Sequence, residues 1–153
     1  MDETLVFPCN RAAIQSVLPH RDPFLWLTRV IACEPGVSIV AELDVAQDLP
    51  LFQGHFPQHP VLPGVILMEA LAQAASFCIL VARGGEGSIG FLTGIDQAKF
   101  RHQVAPGDTV RLEATLLKSG SRMCVAEVRA TVAGQLAATA LQKYVLDTSK
   151  PQR

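Results

Sequence analysis

The chain has 153 residues, 49% of them hydrophobic and 18% charged, with a formal net charge of -1. That length predicts one domain over residues 1–153, and the scarcity of charge predicts a homo-oligomer that buries part of its apolar surface. The near-neutral balance, with no basic run and no interleaving of aromatic and basic residues, excludes nucleic acid as a partner.

Four separated cysteines, Cys9, Cys33, Cys78 and Cys124, form no C-x-x-C pair. Neither a zinc knuckle nor a dithiol motif is indicated, and reduced thiols are expected. The segment from Met1 to Pro8 is acidic and has neither the basic nor the long apolar region of a secretory signal, so the expected compartment is the cytoplasm.

Asn10 is placed to cap a short helix that runs through about Leu18 and is ended by Pro19. The segment Phe24 to Ala32 reads as a strand, Glu34-Pro35-Gly36 as a turn, and Val37 to Val45 as the hairpin partner. Residues 46–63 hold Pro50, Pro57, Pro60 and Pro63, which predicts an ordered loop with its φ angles largely fixed.

From Gly64 to Ala82 the chain is rich in helix formers and apolar nearly all round, so it predicts a buried helix stopped by Arg83-Gly84-Gly85. Its polar side chains, Glu69, Gln73 and Ser76, follow at i, i+4 and i+7 and line one stripe. A carboxylate and an amide near its middle argue against a membrane span.

The second half reads as strands. Ser88 to Ala105 is a long segment broken near Gly94, and Asp108 to Leu117 alternates with Val110, Leu112, Ala114 and Leu116 on one face. Cys124, Ala126, Val128, Ala130 and Val132 face inward in the next strand, and Gln135 to Leu146 follows the Ala133-Gly134 turn. Residues 148–153 read as a flexible tail. The expected class is α+β, an antiparallel sheet wrapped around one long helix.

Three groups carry candidate chemistry. A glutamate on an apolar helix must be hydrogen-bonded or hold its proton more tightly than usual, and either suits Glu69 as a general acid. The plainer reading is an ion pair at an oligomer edge. His55 lies in a proline-stiffened loop that would fix its ring for proton transfer, although a lone histidine is more often structural. The amides that open the helix, beginning with Gly64, are unpaired donors able to polarise a carbonyl.

Base, acid and oxyanion donor together specify proton removal next to a carbonyl with departure of a leaving group, or the reverse addition. Glu69 stands about 7.5 Å along the helix axis from Gly64 at 1.5 Å per residue, so His55 is as able to meet the Glu69 of a second subunit as its own. His20 and His59 compete for the base, and no metal-ligand spacing is present.

The series Leu18-Pro19-His20-Arg21-Asp22-Pro23-Phe24-Leu25, Phe52-Gln53-Gly54-His55-Phe56-Pro57, Pro63-Gly64-Val65, Glu69-Ala70-Leu71-Ala72-Gln73 and Gly94-Ile95-Asp96-Gln97-Ala98-Lys99-Phe100 resembles the FabZ-type 3-hydroxyacyl-acyl-carrier-protein dehydratases. The likeness implies a hot-dog fold and a homodimer, or a trimer of dimers, acting on an acyl carrier protein without metal or redox cofactor. It carries His55 over as the group acting at C2 and Glu69 of the other subunit as the acid at the C3 hydroxyl. Gly64, with Val65 and Gln73, would bind substrate.

Isomerising FabA-type relatives place an aspartate where this chain has Glu69, which favours plain dehydration. Asp22 stands where a tyrosine is usual, Thr28 where an aspartate is usual, and Arg101-His102-Gln103 where the family is more basic. Lys99 and Arg101 remain available to an acidic carrier. A hot-dog thioesterase and a non-catalytic acyl-binding subunit are the rival functions.

Overall fold

The computed structural model describes residues 5–84 and 89–147. Ser88, Gly85 and the expected tail at 148–153 lie outside the described residues. Helix α1 (Arg11–Val17) begins where the Asn10 side chain accepts the Ala13 amide at 3.0 Å. It ends at Leu18, held extended by the proline that follows. Strands β1 (Arg29–Glu34) and β2 (Ser38–Asp44) form a hairpin in which the Val37 amide donates to the Glu34 carbonyl at 2.9 Å. Gly36 takes φ +75 in this turn, and its amide donates to the Cys78 carbonyl at 3.1 Å, docking the hairpin on the long helix.

That helix, α2 (Gly64–Ala82), is long and apolar enough to cross a membrane, but 72% of its apolar window is buried inside the fold. The sheet that covers it has the order β1-β2-β4-β5-β6-β3, with every neighbouring pair antiparallel, where β3 is Ile89–Phe100, β4 Thr109–Ser119, β5 Met123–Val132 and β6 Gln135–Asp147. The expected inward faces of β4 and β5 hold at Val110, Leu112, Ala114, Cys124, Ala126, Val128, Ala130 and Val132, which are buried, while Leu116, beside a register shift, is only half-buried. Ala133 and Gly134 both take positive φ, 49 and 81, the turn that matches the twist of a two-residue hairpin.

Small residues set the close approach of helix and sheet. Ala70, Ala74 and Ala75 on α2 and Ala126, Ala130 and Ala138 on the sheet are all fully buried. Larger side chains fill the space between them. Leu71, Phe77, Ile79 and Leu80 are each no more than 1% exposed, which contributes about 2 to 3 kcal/mol apiece in transfer terms. A polar link crosses the same layer: the Tyr144 hydroxyl donates to Gln142, whose amide donates to the Met68 carbonyl at 2.9 Å.

Two expected boundaries are corrected. Strand β1 starts at Arg29, not Phe24, because Leu25, Trp26 and Leu27 are buried in succession instead of alternating. Their backbone is taken by a side chain of α2: the Trp26 amide donates to Gln73 Oε1 at 2.8 Å, and Gln73 Nε2 donates to the Phe24 carbonyl at 2.9 Å. Strand β3 stops at Phe100, not Ala105. Beyond it the Arg101 amide turns onto the Ala137 carbonyl at 2.7 Å, and the Val104 carbonyl accepts the Leu62 amide at 2.8 Å. The proline-rich loop also contains one short 3-10 turn, Pro50–Gln53.

Candidate active site

His55 is held from three sides. Its amide donates to the Leu51 carbonyl at 3.0 Å, its carbonyl accepts the Val61 amide at 3.2 Å, and its Nδ1 lies 2.9 Å from the Val61 carbonyl. A carbonyl only accepts, so Nδ1 carries the proton and the Nε2 lone pair is left to act as a base. The Phe56 ring stacks on the imidazole at 4.2 Å between centroids.

The imidazole lines a cleft of about 560 Å³ together with Gly64, Val65, Phe100, Arg101 and His102. Pro63 caps α2 without a side-chain hydrogen bond, and its carbonyl takes the Ile66 and Leu67 amides at 3.0 and 3.2 Å. Among the described residues the Gly64 and Val65 amides have no protein acceptor, which leaves two donors at the positive end of the helix. A Cβ at position 64 would lie 2.8 Å from Phe100 Cε1, so that ring would have to shift to admit one.

Glu69 and Gln73 do not line this cleft. A five-residue step turns the helix well away from Gly64, and Glu69 faces the segment after α1. Its Oε2 accepts from Gln73 Nε2 at 3.0 Å and lies 4.0 Å from His20 Nε2. Gln73, expected to bind substrate, is 1% exposed and has its amide group committed to Glu69, Phe24 and Trp26. It orients the carboxylate. One protomer thus brings together His55, Gly64 and Val65, and keeps Glu69 apart in a second cluster.

His20, one of the two histidines competing with His55, stands beside Glu69 instead of in the cleft. Burial pulls its imidazole below the ordinary histidine range, Glu69 pushes it back up, and Arg21 lowers it again. The Arg21 guanidinium holds the turn that carries it, donating to the Leu18, His20 and Gln15 carbonyls. Asp22 forms an ion pair with Arg11 of α1. The signal was the proline-bracketed Leu18-Pro19-His20-Arg21-Asp22-Pro23, whose rigidity suits a fixed imidazole. His59 instead bonds Gln103 at 3.1 Å, joining two loops at the rim.

The model for the FabA-like domain matches residues 18–141. The chain belongs to the FabA-like domain family. Within that family, the 3-hydroxyacyl-[acyl-carrier-protein] dehydratase FabZ of Ruminiclostridium cellulolyticum is 44% identical over 133 residues, covering 87% of this chain and 94% of the relative. The FabZ of Acetivibrio thermocellus is 45% identical over 138 residues, covering 90% and 94%.

The FabA-like fold extends to solved structures of low identity. The dehydratase heterocomplex ApeI:P from Xenorhabdus doucetiae superposes with a TM-score of 0.74 at 19% identity, over 97% of this chain and 94% of the other. The Escherichia coli PaaI protein from the phenylacetic acid degradation operon gives 0.60 at 15% identity, over 76% and 80%. The architecture is the hot-dog fold.

Proposed function

We propose that this FabA-like chain is a 3-hydroxyacyl-acyl-carrier-protein dehydratase of fatty-acid biosynthesis, as its FabZ relatives are named. The observation that carries the site assignment is the 2.9 Å bond from His55 Nδ1 to the Val61 carbonyl, which frees Nε2 beside the unpaired amide of Gly64. In this reading the Gly64 amide holds the thioester carbonyl and acidifies C2. His55 Nε2 takes the C2 proton. The C3–O bond breaks as the Glu69 carboxyl delivers its proton, and water leaves.

Glu69 reaches this centre from a second copy of the chain. Strand β3 is an outer strand of the sheet, with Phe91 51% and Ile95 40% exposed. At the opposite end, β1 is bridged by Cys9. An uncovered edge bearing apolar side chains is a pairing surface, so a homodimer through β3 is inferred, with the trimer of dimers as its higher assembly. Arg101 at the rim and exposed Lys99 would receive the acidic carrier protein. Cytoplasmic location and plain dehydration without isomerisation belong to the same reading.

Hydration of a trans-2-enoyl thioester by the purified protein tests it. Activity is expected to disappear in His55→Ala and in Glu69→Gln, and to return in part when the two variants are unfolded and refolded together into mixed dimers. Release of free thiol, read with a thiol-reactive dye, would identify a thioesterase instead. A parent chain inactive in both assays on several chain lengths would leave the non-catalytic reading.

A further inference from the structure

Away from the candidate site, two thiols meet where the β1–β2 hairpin docks on α2. All four cysteines of the chain are free. Cys33 of β1 stands directly opposite Ile39 of β2, so their side chains share a face. Ile39 is 2% exposed and Cys33 packs against the core, which puts that face on the helix side. Cys78 of α2 reaches up to the same place. Its Sγ lies 3.5 Å from the Glu34 carbonyl and 3.5 Å from the Ser38 carbonyl, which form the rung next to Cys33 and Ile39. The Gly36 amide donates to the Cys78 carbonyl at 3.1 Å, and a Cβ on Gly36 would lie 3.3 Å from Ala82 Cβ. Turn and helix are therefore in backbone contact.

The two thiols differ in access. Cys78 is fully buried, whereas Cys33 is half-buried and lines a surface cavity of about 270 Å³ with Ala32, Ser38 and Val40. A hydrogen bond between the two side chains holds the proton on Cys33, and burial acts in the same sense. The same bond pulls the Cys78 thiol below its ordinary range against burial, helped by the Gly36 and Val37 amides. Loss of one proton from the pair thus leaves a thiolate that the remaining S–H stabilises. Cys9, tied to Val30 by backbone bonds of 2.9 and 3.1 Å, bears on Cys33 through charge alone. No metal-ligating group of His, Cys, Asp or Glu forms among the described residues.

We propose that Cys33 and Cys78 are an oxidisable pair that reacts with a hydroperoxide to form a reversible disulfide, stapling the β1–β2 hairpin to α2. The Cys33 sulfur attacks the terminal oxygen of the hydroperoxide and the O–O bond breaks. Cys33 becomes a sulfenic acid, and the alcohol, or water from hydrogen peroxide, leaves with the thiol proton. The Cys78 sulfur then attacks the Cys33 sulfur, the S–O bond breaks, and the oxygen leaves as water with the Cys78 proton. The two sulfurs lose two electrons, which the O–O bond takes up. A dithiol reductant reverses the staple by exchange. Cys78 stands about 13.5 Å along the helix axis from Glu69 at 1.5 Å per residue, so this chemistry is independent of the dehydration scheme.

The test takes the full chain, reduced and folded by circular dichroism, and exposes it to hydrogen peroxide. Free thiols are then blocked with N-ethylmaleimide in denaturant, and peptides are mapped by mass spectrometry without reduction. Expected is one pair of peptides joined through Cys33 and Cys78, with two of the four thiols lost and both restored by dithiothreitol. The bond closes a loop of about 45 residues, so the melting temperature should rise by about 5 °C or more.

Variants separate the roles. Cys9→Ser should form the same bond. Cys78→Ser should form none and should instead be labelled at Cys33 by dimedone, which traps sulfenic acid. The parent alone is decisive if a variant fails to fold. Four surviving thiols, a Cys33 carried on to sulfinic acid without a disulfide, or a bond that joins Cys9 or two chains overturns the proposal. A Cys33–Cys78 bond that leaves the melting temperature unchanged or lower overturns it as well.

Discussion

Gln73 joins Glu69 to the strap that crosses α2: its amide donates to Glu69 Oε2 at 3.0 Å and to the Phe24 carbonyl at 2.9 Å, while its oxygen accepts the Trp26 amide at 2.8 Å. Every bond lies in a region where Gln73 itself is 1% exposed. Gln73→Leu keeps the volume and leaves the Trp26 donor and the Phe24 acceptor unpaired. Each such group costs about 1 to 3 kcal/mol when buried, so a loss of about 2 kcal/mol or more is expected in urea denaturation. Activity should fall in the same variant through kcat, because the carboxyl loses its orientation.

Gly64 is expected to resist even alanine. The added methyl meets the Phe100 ring at 2.8 Å, but that ring is 54% exposed and able to shift along the cleft it lines. Stability should therefore change by less than about 1 kcal/mol. The displaced ring would enter the cleft and crowd the Gly64 amide, and enoyl hydration should drop at least about tenfold, by analogy with loss of one oxyanion donor. Truncating Phe100 to alanine in the same chain should recover part of the activity. A Gly64→Ala enzyme with parental kcat/KM would remove this amide from the mechanism.

Periodicity was sufficient where burial is periodic. Alternation gave the inward faces of β5 and of most of β4, and the apolar run with one polar stripe gave α2 from Gly64 to about Ala82. It failed at Phe24–Leu27, where consecutive apolar residues mimic a strand but owe their burial to a side chain 47 positions away in sequence, Gln73 reaching Trp26. The candidate residues His55, Gly64 and Glu69 were picked out by residue type, from chemistry alone. Helix geometry left open whether Glu69 meets the His55 of its own chain, and the turn of α2 with the path of the 18–28 segment places the two in separate clusters of one protomer. The proline-bracketed turn marks His20 as a fixed imidazole, but its proximity to Glu69 is a tertiary contact that the local pattern does not encode.

Asp44 makes acid sensitivity testable away from the site. Its carboxylate pairs with Arg29 and accepts the Thr109 hydroxyl at 3.0 Å, and the Arg29 hydrogen bond holds its pKa below the ordinary carboxylate value. A lowered folded-state value stabilises the protein above the unfolded pKa of about 3.9 and is lost as pH falls through the folded one. The side chain is 45% exposed, so the contribution is under about 1 kcal/mol. Asp44→Asn should lower the melting temperature at pH 7, with the difference from the parent shrinking below about pH 4. A difference that persists undiminished at low pH would assign the loss to packing or to the Thr109 bond.

The uncovered edge of the sheet gives the most direct test of the shared site. Phe91 and Ile95 both lie on β3, which pairs with β6 on one side, and both are exposed in the protomer. Replacing each with lysine places charge where a second β3 would have to pair, a device that sheet proteins use to block edge association. Exposed positions tolerate such changes within about 0.5 kcal/mol in the protomer itself, so circular dichroism and the melting cooperativity should stay close to parental. Sedimentation should report the monomer mass, and enoyl hydration should be lost although His55, Gly64 and Glu69 are unaltered. A folded monomer that keeps full activity would mean that Glu69 serves the His55 of its own chain, and an active dimer would move the interface away from β3.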